Sequence, residues 1–253
     1  NGATLTIDGC TINGTLSPRN PVLFNVDTGN LVFTNNIGNI KAVNLQPHPM
    51  TQSLQYVIQV ALGSVDLEKN RFSIDQGFEA GFLMTTSSIA TTGFKITENR
   101  FENFHGVLYL INSNNAFISK NMLFKNSYGN IVIVGNNGQI VNNTVEFAGN
   151  NHLGNSMDIM NSSKMTITGN QLLSPTCHGI YVMNSRNLLI DDNRISSGIT
   201  YAMNVLTYPE ATATDDYLKA YRTVNMSNSQ LSNNIIITNN YMAQNRYGIT
   251  ASD

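Results

Sequence analysis

A short unit that keeps one phase along most of the chain constrains the fold more than any other feature: alternating apolar residues, one or two polar residues, an asparagine, then another apolar residue. Clear copies are Phe94-Lys95-Ile96-Thr97-Glu98-Asn99-Arg100-Phe101, Phe117-Ile118-Ser119-Lys120-Asn121-Met122-Leu123 and Ile140-Val141-Asn142-Asn143-Thr144-Val145. Met165 to Leu172, Leu188 to Ile195 and Ile235 to Met242 continue the series. The anchor asparagines step from 99 to 121 (22), 121 to 143 (22), 143 to 170 (27), 170 to 193 (23) and 193 to 240 (47), so the last gap holds two turns or one large insertion. Leucine-rich repeats share such a period but need a Leu-rich consensus that is missing here. The pattern predicts an all-β chain, one right-handed parallel β-helix over residues 1–253, with an internal ladder of asparagines and an insertion at about 199–232.

The physical reason for asparagine is that its side-chain amide both donates and accepts. Stacked one rung above another, such amides satisfy buried turn groups that would otherwise cost on the order of 1–3 kcal/mol each. Asn also tolerates the left-handed backbone that a tight turn can need.

A second strand family follows each anchor: Gly106 to Asn112, Gly129 to Gly135, Asn155 to Asn161 and His178 to Asn184. Read by alternation, Leu108, Ile131, Met157 and Ile180 form one core column, and Leu110, Ile133, Ile159 and Val182 the next. Between them runs an outward column of Tyr109, Val132, Asp158 and Tyr181, expected on an exposed face suited to a linear polymer.

Composition agrees. About one residue in seven is Asn, and charged residues make up only 12%. Asn, Ser and Thr compete for backbone hydrogen bonds and disfavour helix interiors. A net charge of -2 without a Lys/Arg run argues against nucleic acid as a partner. Apolar runs such as Ile131 to Val134 are far short of the roughly twenty residues of a membrane-crossing helix. Cys10 and Cys177 would lie several rungs apart, beyond disulfide reach, and are expected to be free thiols. The chain starts at Asn1 and stops at Asp253 just after a strand-like run, and is read as part of a longer protein whose caps lie outside it.

Motifs for nucleotide, zinc and serine-hydrolase chemistry are missing: no Gly-rich phosphate loop, HExxH, CxxC pair or GxSxG elbow occurs. What remains is a set on consecutive rungs: Tyr128-Gly129 opens one strand, Asp158 lies in the next, and His178-Gly179-Ile180 opens the third. In this order and approximate spacing, over roughly residues 94 to 250, the chain resembles the mannuronan C5-epimerases and related alginate lyases. In that family a rung beginning Tyr-Gly-Phe-Asp-Pro-His precedes a rung carrying Asp, and the following rung opens His-Gly-Phe. This chain departs from the pattern after Tyr128-Gly129, where Ile131-Val132-Ile133 replaces Asp-Pro-His, so a catalytic His and its neighbouring Asp are missing. Pro47-His48, far upstream, is no substitute.

The resemblance implies removal of a uronate C5 proton, followed by reprotonation on the other face or β-elimination at O4. That chemistry needs a base, an acid and a group neutralising the carboxylate. It implies His178 as base or acid, Tyr128 as its counterpart across the sugar plane, and Asp158 as a proton-sharing group. The substrate-contact set is Tyr109, His152, Asn155, Tyr181, Arg186, Tyr208 and Tyr217. No neutralising cation is evident, since Lys125 and Arg186 are near in sequence but outside the outward column. No cofactor is predicted, and nothing in the sequence supports a Ca site. The expected partner is a linear polysaccharide and the expected location extracellular, cell-surface or periplasmic; oligomeric state is left open. Two rivals stand beside this reading. A non-catalytic solenoid, such as a binding module, adhesin or tailspike-like segment, fits the missing Asp-Pro-His. A glycoside hydrolase would need a second acid beside Asp158, whereas Asp191-Asp192 sits at a turn.

Overall fold

The computed structural model describes residues 3–43, 55–75, 80–85, 91–126, 130–147, 154–198, 200–207 and 232–252. They form nine coils, each giving one strand to each of three nine-stranded sheets. Sheet 1 runs from Thr4–Asp8 in the first coil to Asn233–Thr238 in the ninth, sheet 2 from Thr11–Leu16 to Tyr241–Ala243, and sheet 3 from Val22–Val26 to Tyr247–Ser252. Within each sheet every strand pairs in parallel with the strands one coil before and one coil after. Among the described residues no helix is long and apolar enough to cross a membrane.

The asparagine ladder is present and longer than the repeat predicts. Asn36, Asn70, Asn99, Asn121, Asn143, Asn170, Asn193 and Asn240 stack between sheets 1 and 2, each Nδ2 donating to the next Oδ1 at 2.8 to 3.0 Å. Each Oδ1 also accepts the main-chain N–H of the preceding rung, as from Asn121 to Asn143 at 3.0 Å. The Nδ2 groups return a bond to a carbonyl of the coil before, as from Asn143 to Ile118 at 3.0 Å. Cys10 takes the ladder position in the first coil, its N–H donating to Asn36 Oδ1 at 2.9 Å. The direct bond from Asn193 to Asn240 resolves the 47-residue gap as one coil, and the expected insertion of about 199–232 is corrected at its start, since Tyr201–Leu206 is a regular strand of sheet 3.

The left-handed residue of this turn is not the anchor but the residue before it. Asn35, Lys69, Glu98, Lys120, Asn142, Asp192 and Asn239 all have φ between 51° and 59°. A non-glycine residue there costs roughly 1–2 kcal/mol, which the buried amide contacts of the following Asn offset.

Inside the coils the core columns match expectation: Leu108, Ile131, Met157 and Ile180 are in register and fully buried, as are Leu110, Ile133, Ile159 and Val182. Phe33, Phe72, Phe82, Phe101 and Phe104 pack as neighbouring rings through the N-terminal half. Sheets 1 and 2 alternate exposed and buried residues, as in Ile37–Ala42. Sheet 3 does not. Gly106–Ile111, Ile131–Val134, Met157–Met160 and Ile180–Met183 are buried on both faces. Their outward side chains join a second apolar cluster with Tyr56, Tyr109, Val132, Met160, Tyr181 and Met183. The expectation of an exposed outward column is therefore corrected: Tyr109, Val132, Asp158 and Tyr181 are 5%, 0%, 0% and 8% exposed. Unbroken runs such as Ile-Val-Ile-Val are what a strand covered on both sides requires.

Asn143→Ala removes both an acceptor and a donor from the middle of the ladder: the buried Asn121 main-chain N–H loses its acceptor, Asn121 Nδ2 keeps only the Ile96 carbonyl, and Asn170 Oδ1 keeps only the main-chain N–H of residue 143. It should cost about 3–5 kcal/mol in denaturant unfolding, whereas Asn240→Ala, at the partly solvated ninth coil, should cost about 1 kcal/mol. Equal losses at the two positions would show that the ladder is not a buried network.

Candidate functional site

The polar groups of sheet 3 gather on its outer side in coils six to nine. Two columns carry them. Asn155, His178, Tyr201 and Tyr247 are in register on successive coils, and so are Asp158, Tyr181, Asn204 and Thr250 three residues further along each strand. His178 is thus one rung above Asn155, and Tyr201 one rung above His178.

Asp158 has no accessible surface. Asn155 Nδ2 donates to its Oδ1 at 2.6 Å, while Asn155 Oδ1 accepts the His178 main-chain N–H at 3.0 Å. One amide thereby ties the carboxylate of the sixth coil to the backbone of the seventh. Burial, and after it the Asp158 charge, pushes the Tyr109 hydroxyl well above its ordinary pKa. Burial also raises the Cys177 thiol, with Asp158 adding to the effect. Both thiols are free.

His178 is partly buried and its ring is parallel to that of Tyr181, with centroids 5.6 Å apart and planes 10° from parallel; Tyr201 lies 5.5 Å away on the next rung. Burial lowers the imidazole to about 4 from its ordinary value, so the ring is neutral near pH 7. The hydrogen bonds around it assign the tautomer. Thr200 spends its one hydroxyl proton on the Cys177 carbonyl, so toward His178 Nδ1, 3.0 Å away, Thr200 Oγ1 can only accept. Nδ1 therefore carries the proton, and Nε2 presents its lone pair, receiving the Asn204 Nδ2 donor at 3.3 Å. Asn204 Oδ1, at the end of this chain, is buried without a partner. Asn130, through both ends of its amide, and Ser156 Oγ share that condition in one inward column just beside the site.

Of the residues singled out from sequence, the structure brings together Asp158, Asn155, His178 and Tyr181, with Tyr109 in the same outer column two coils before Asp158. Tyr109 folds back over Gly106, whose backbone leaves no room for a Cβ beneath the phenol, and packs edge-on to Tyr56 at 6.0 Å. Arg186 lies elsewhere, exposed at the start of the sheet 1 strand Arg186–Asp191. Tyr128, His152, Tyr208 and Tyr217 lie outside the described residues. Asp191 is a brace, accepting from Thr238 Oγ1 at 2.8 Å and Asn239 Nδ2 at 2.9 Å one coil on. Thr200, Tyr201, Asn204 and Tyr247 were not singled out as site residues. The signal for them was register: once Asn193 is paired with Asn240, the strand beginning at Tyr201 stands next to His178 and the one beginning at Tyr247 next to Tyr201. Among the described residues no three His, Cys, Asp or Glu side chains come together as a metal cage.

No curated protein matches the sequence. Among solved structures, a mutant of the periplasmic alginate epimerase AlgG overlaps 98% of this chain and 74% of its own, at 12% identity and a TM-score of 0.41. A family described as "Right handed beta helix region" matches residues 80–253, more than two thirds of the chain. With the nine-coil parallel solenoid, that match places the chain in the right-handed β-helix family.

Proposed function

We propose that this protein acts on an acidic polysaccharide at the outer side of sheet 3, outside the cell or in the periplasm, removing the C5 proton of a uronate residue as an epimerase or a β-eliminating lyase. The observation that carries the reading is the state of His178: a neutral imidazole whose Nδ1 proton is held by Thr200 and whose Nε2 lone pair accepts from Asn204 Nδ2, a contact that the C5 proton would replace. A proton acceptor held in one tautomer on a polar, aromatic-flanked surface is the first requirement of C5 chemistry. Thr200 and Asn204 orient the ring, Tyr181 and Tyr201 flank it, and Asn155 with Asp158 fixes the strand that presents it. Tyr128 is the proposed partner acid on the opposite side of the sugar. When Nε2 takes the C5 proton, the electron pair left on C5 passes into the carboxylate, and either the proton returned to the other face or loss of the O4 substituent completes the turnover.

A non-catalytic polysaccharide-binding or structural solenoid is the second reading. It is favoured by the complete burial of Asp158 and by the lack of any Lys or Arg among the described residues of the two columns. A glycoside hydrolase is disfavoured, because Asp158 is the single carboxylate among those residues and hydrolysis uses two.

Incubation with alginate, pectate and related uronans, following the absorbance of unsaturated chain ends and deuterium uptake at C5, should show one of the two signals in wild type. His178→Ala should remove it by a factor of at least about a hundred, the usual contribution of a general base. Binding without either signal selects the second reading, and unchanged turnover in His178→Ala removes His178 from the mechanism.

The same ring sets two pH dependences. A base that is neutral above about 4 puts the acid limb of kcat/KM near pH 4, and not near the ordinary histidine value of 6.5. In stability the folded ring has the lower pKa, so between about 4 and 6.5 the unfolded chain binds more protons, and stability falls as pH falls through that window. The loss should be on the order of 1–2 kcal/mol after allowance for solvent screening of a partly exposed ring. Urea titrations from pH 7 to pH 4 should show it, and His178→Gln should flatten that part of the profile; a wild-type curve with no slope there would show that the ring titrates normally.

A further inference from the structure

The aromatic column does not end at His178. Tyr201 stacks on Tyr247 of the ninth coil, with centroids 4.9 Å apart and planes 29° from parallel. The Arg246 guanidinium lies over the Tyr247 ring, 5.3 Å from its centroid. The turn that carries them is pinned on the coil below: Asn245 Oδ1 accepts the Gly198 N–H at 2.9 Å, Asn245 Nδ2 donates to the Ile195 carbonyl at 2.9 Å, and Arg246 N–H donates to the Gly198 carbonyl at 3.2 Å. Tyr247 N–H donates to the carbonyl of Thr200, the residue whose hydroxyl receives the His178 proton. Arg246 and Tyr247 are exposed, and among the described residues Arg246 has no carboxylate partner.

A guanidinium held against an aromatic ring keeps its charge and its planar fork of donors while part of its hydration is displaced. Such a group is complementary to a carboxylate, which can take the fork bidentately. The neighbouring phenol rings supply apolar edges and hydroxyls for a sugar. Arg246 directly precedes the column residue Tyr247, and the described outer-column residues of coils seven to nine include no Lys, Arg, Asp or Glu. We propose that Arg246, Tyr247 and Tyr201 form a uronate subsite on the ninth coil, two rungs beyond His178, so that the polymer lies along the solenoid axis. Rungs are about 4.8 Å apart, close to the length of one pyranose in an extended chain, so the uronate on Arg246 is two sugar residues from the one that meets His178. The inference rests on the uronan reading above and adds its direction and minimum length: the cation meets the third residue of a bound oligomer, and a disaccharide at His178 does not reach it.

The test compares diuronates, tetrauronates and a neutral tetrasaccharide on the whole chain by calorimetric titration. Arg246→Gln should weaken the tetrauronate about tenfold, the value of one lost charge-assisted contact, and leave the diuronate and the neutral sugar unchanged. Arg246→Lys, which keeps the charge without the fork, should recover part of the loss, and thermal unfolding should show both variants as stable as wild type. If wild type binds tetrauronate and Arg246→Gln binds it equally well, or weakens the diuronate to the same degree, the subsite is wrong while the uronan function stands. If wild type binds no uronan at all, function and subsite fall together.

Discussion

Everything in this molecule depends on one hydrogen bond repeated along the axis, from the side-chain amide of each ladder asparagine to the amide oxygen of the next. A parallel coil must turn sharply between sheets 1 and 2 and bury the polar atoms of the turn. A carboxamide is suited to this because it donates and accepts in one plane, so each copy satisfies the one before and is satisfied by the one after. The bond also sets length. Two rungs can stack only if the strands leaving their asparagines stay in register, whatever the length of chain between them. The 22- and 47-residue steps are therefore structurally equivalent, each a single coil.

Register set in one turn propagates to the far side of each coil. Sheet 3 lies a full strand and a further turn beyond the ladder, yet Met157, Ile180 and Met203 still align without a slip. This alignment lets single residues on separate coils act as one surface: Asn155, His178, Tyr201 and Tyr247 are 23, 23 and 46 positions apart and form a continuous column. It also explains where local rules are broken. Among the described residues, the buried side-chain polar atoms without partners, on Gln55, Asn130, Ser156 and Asn204, all belong to or directly precede sheet 3 strands. A sheet with apolar layers on both sides makes such atoms costly, and departures of this kind collect where a site is built.

Much of the fold could be read from the chain because the ladder needs one residue type at one phase. The upstream members Asn36 and Asn70 escaped because their steps of 34 and 29 residues differ from the later period, and Asn35 beside Asn36 blurs the phase. The candidate site was half readable. Asp158 and His178 lie within the gapless part of the repeat. Asn204 and Tyr247 lie beyond the 193-to-240 step, where register depends on knowing that one coil and not two fills the gap. The burial of the outward column was misread because alternation implies an exposed side, although Ile131-Val132-Ile133-Val134 does not alternate at all. Arg186 was drawn to the site by its nearness in sequence to His178; two residues of turn, Asn184 and Ser185, suffice to carry the chain onto another sheet.

Charge is then distributed along the outer side of sheet 3 in a definite order. The carboxylate of Asp158 is withdrawn from solvent and held by Asn155, the imidazole of His178 is kept neutral by burial, and the guanidinium of Arg246 stands exposed at the ninth coil against Tyr247. From the sixth coil to the ninth the polar groups pass from a carboxyl group with no accessible surface, through a neutral ring, to an exposed cation. An anionic polymer laid along them would be held at the exposed guanidinium and would not meet Asp158. Where its backbone crosses His178 it would meet a neutral ring, and the negative charge it brings would raise the affinity of that ring for a proton. A base made weak by its surroundings in the empty protein is thereby strengthened by the class of substrate whose proton it is proposed to take.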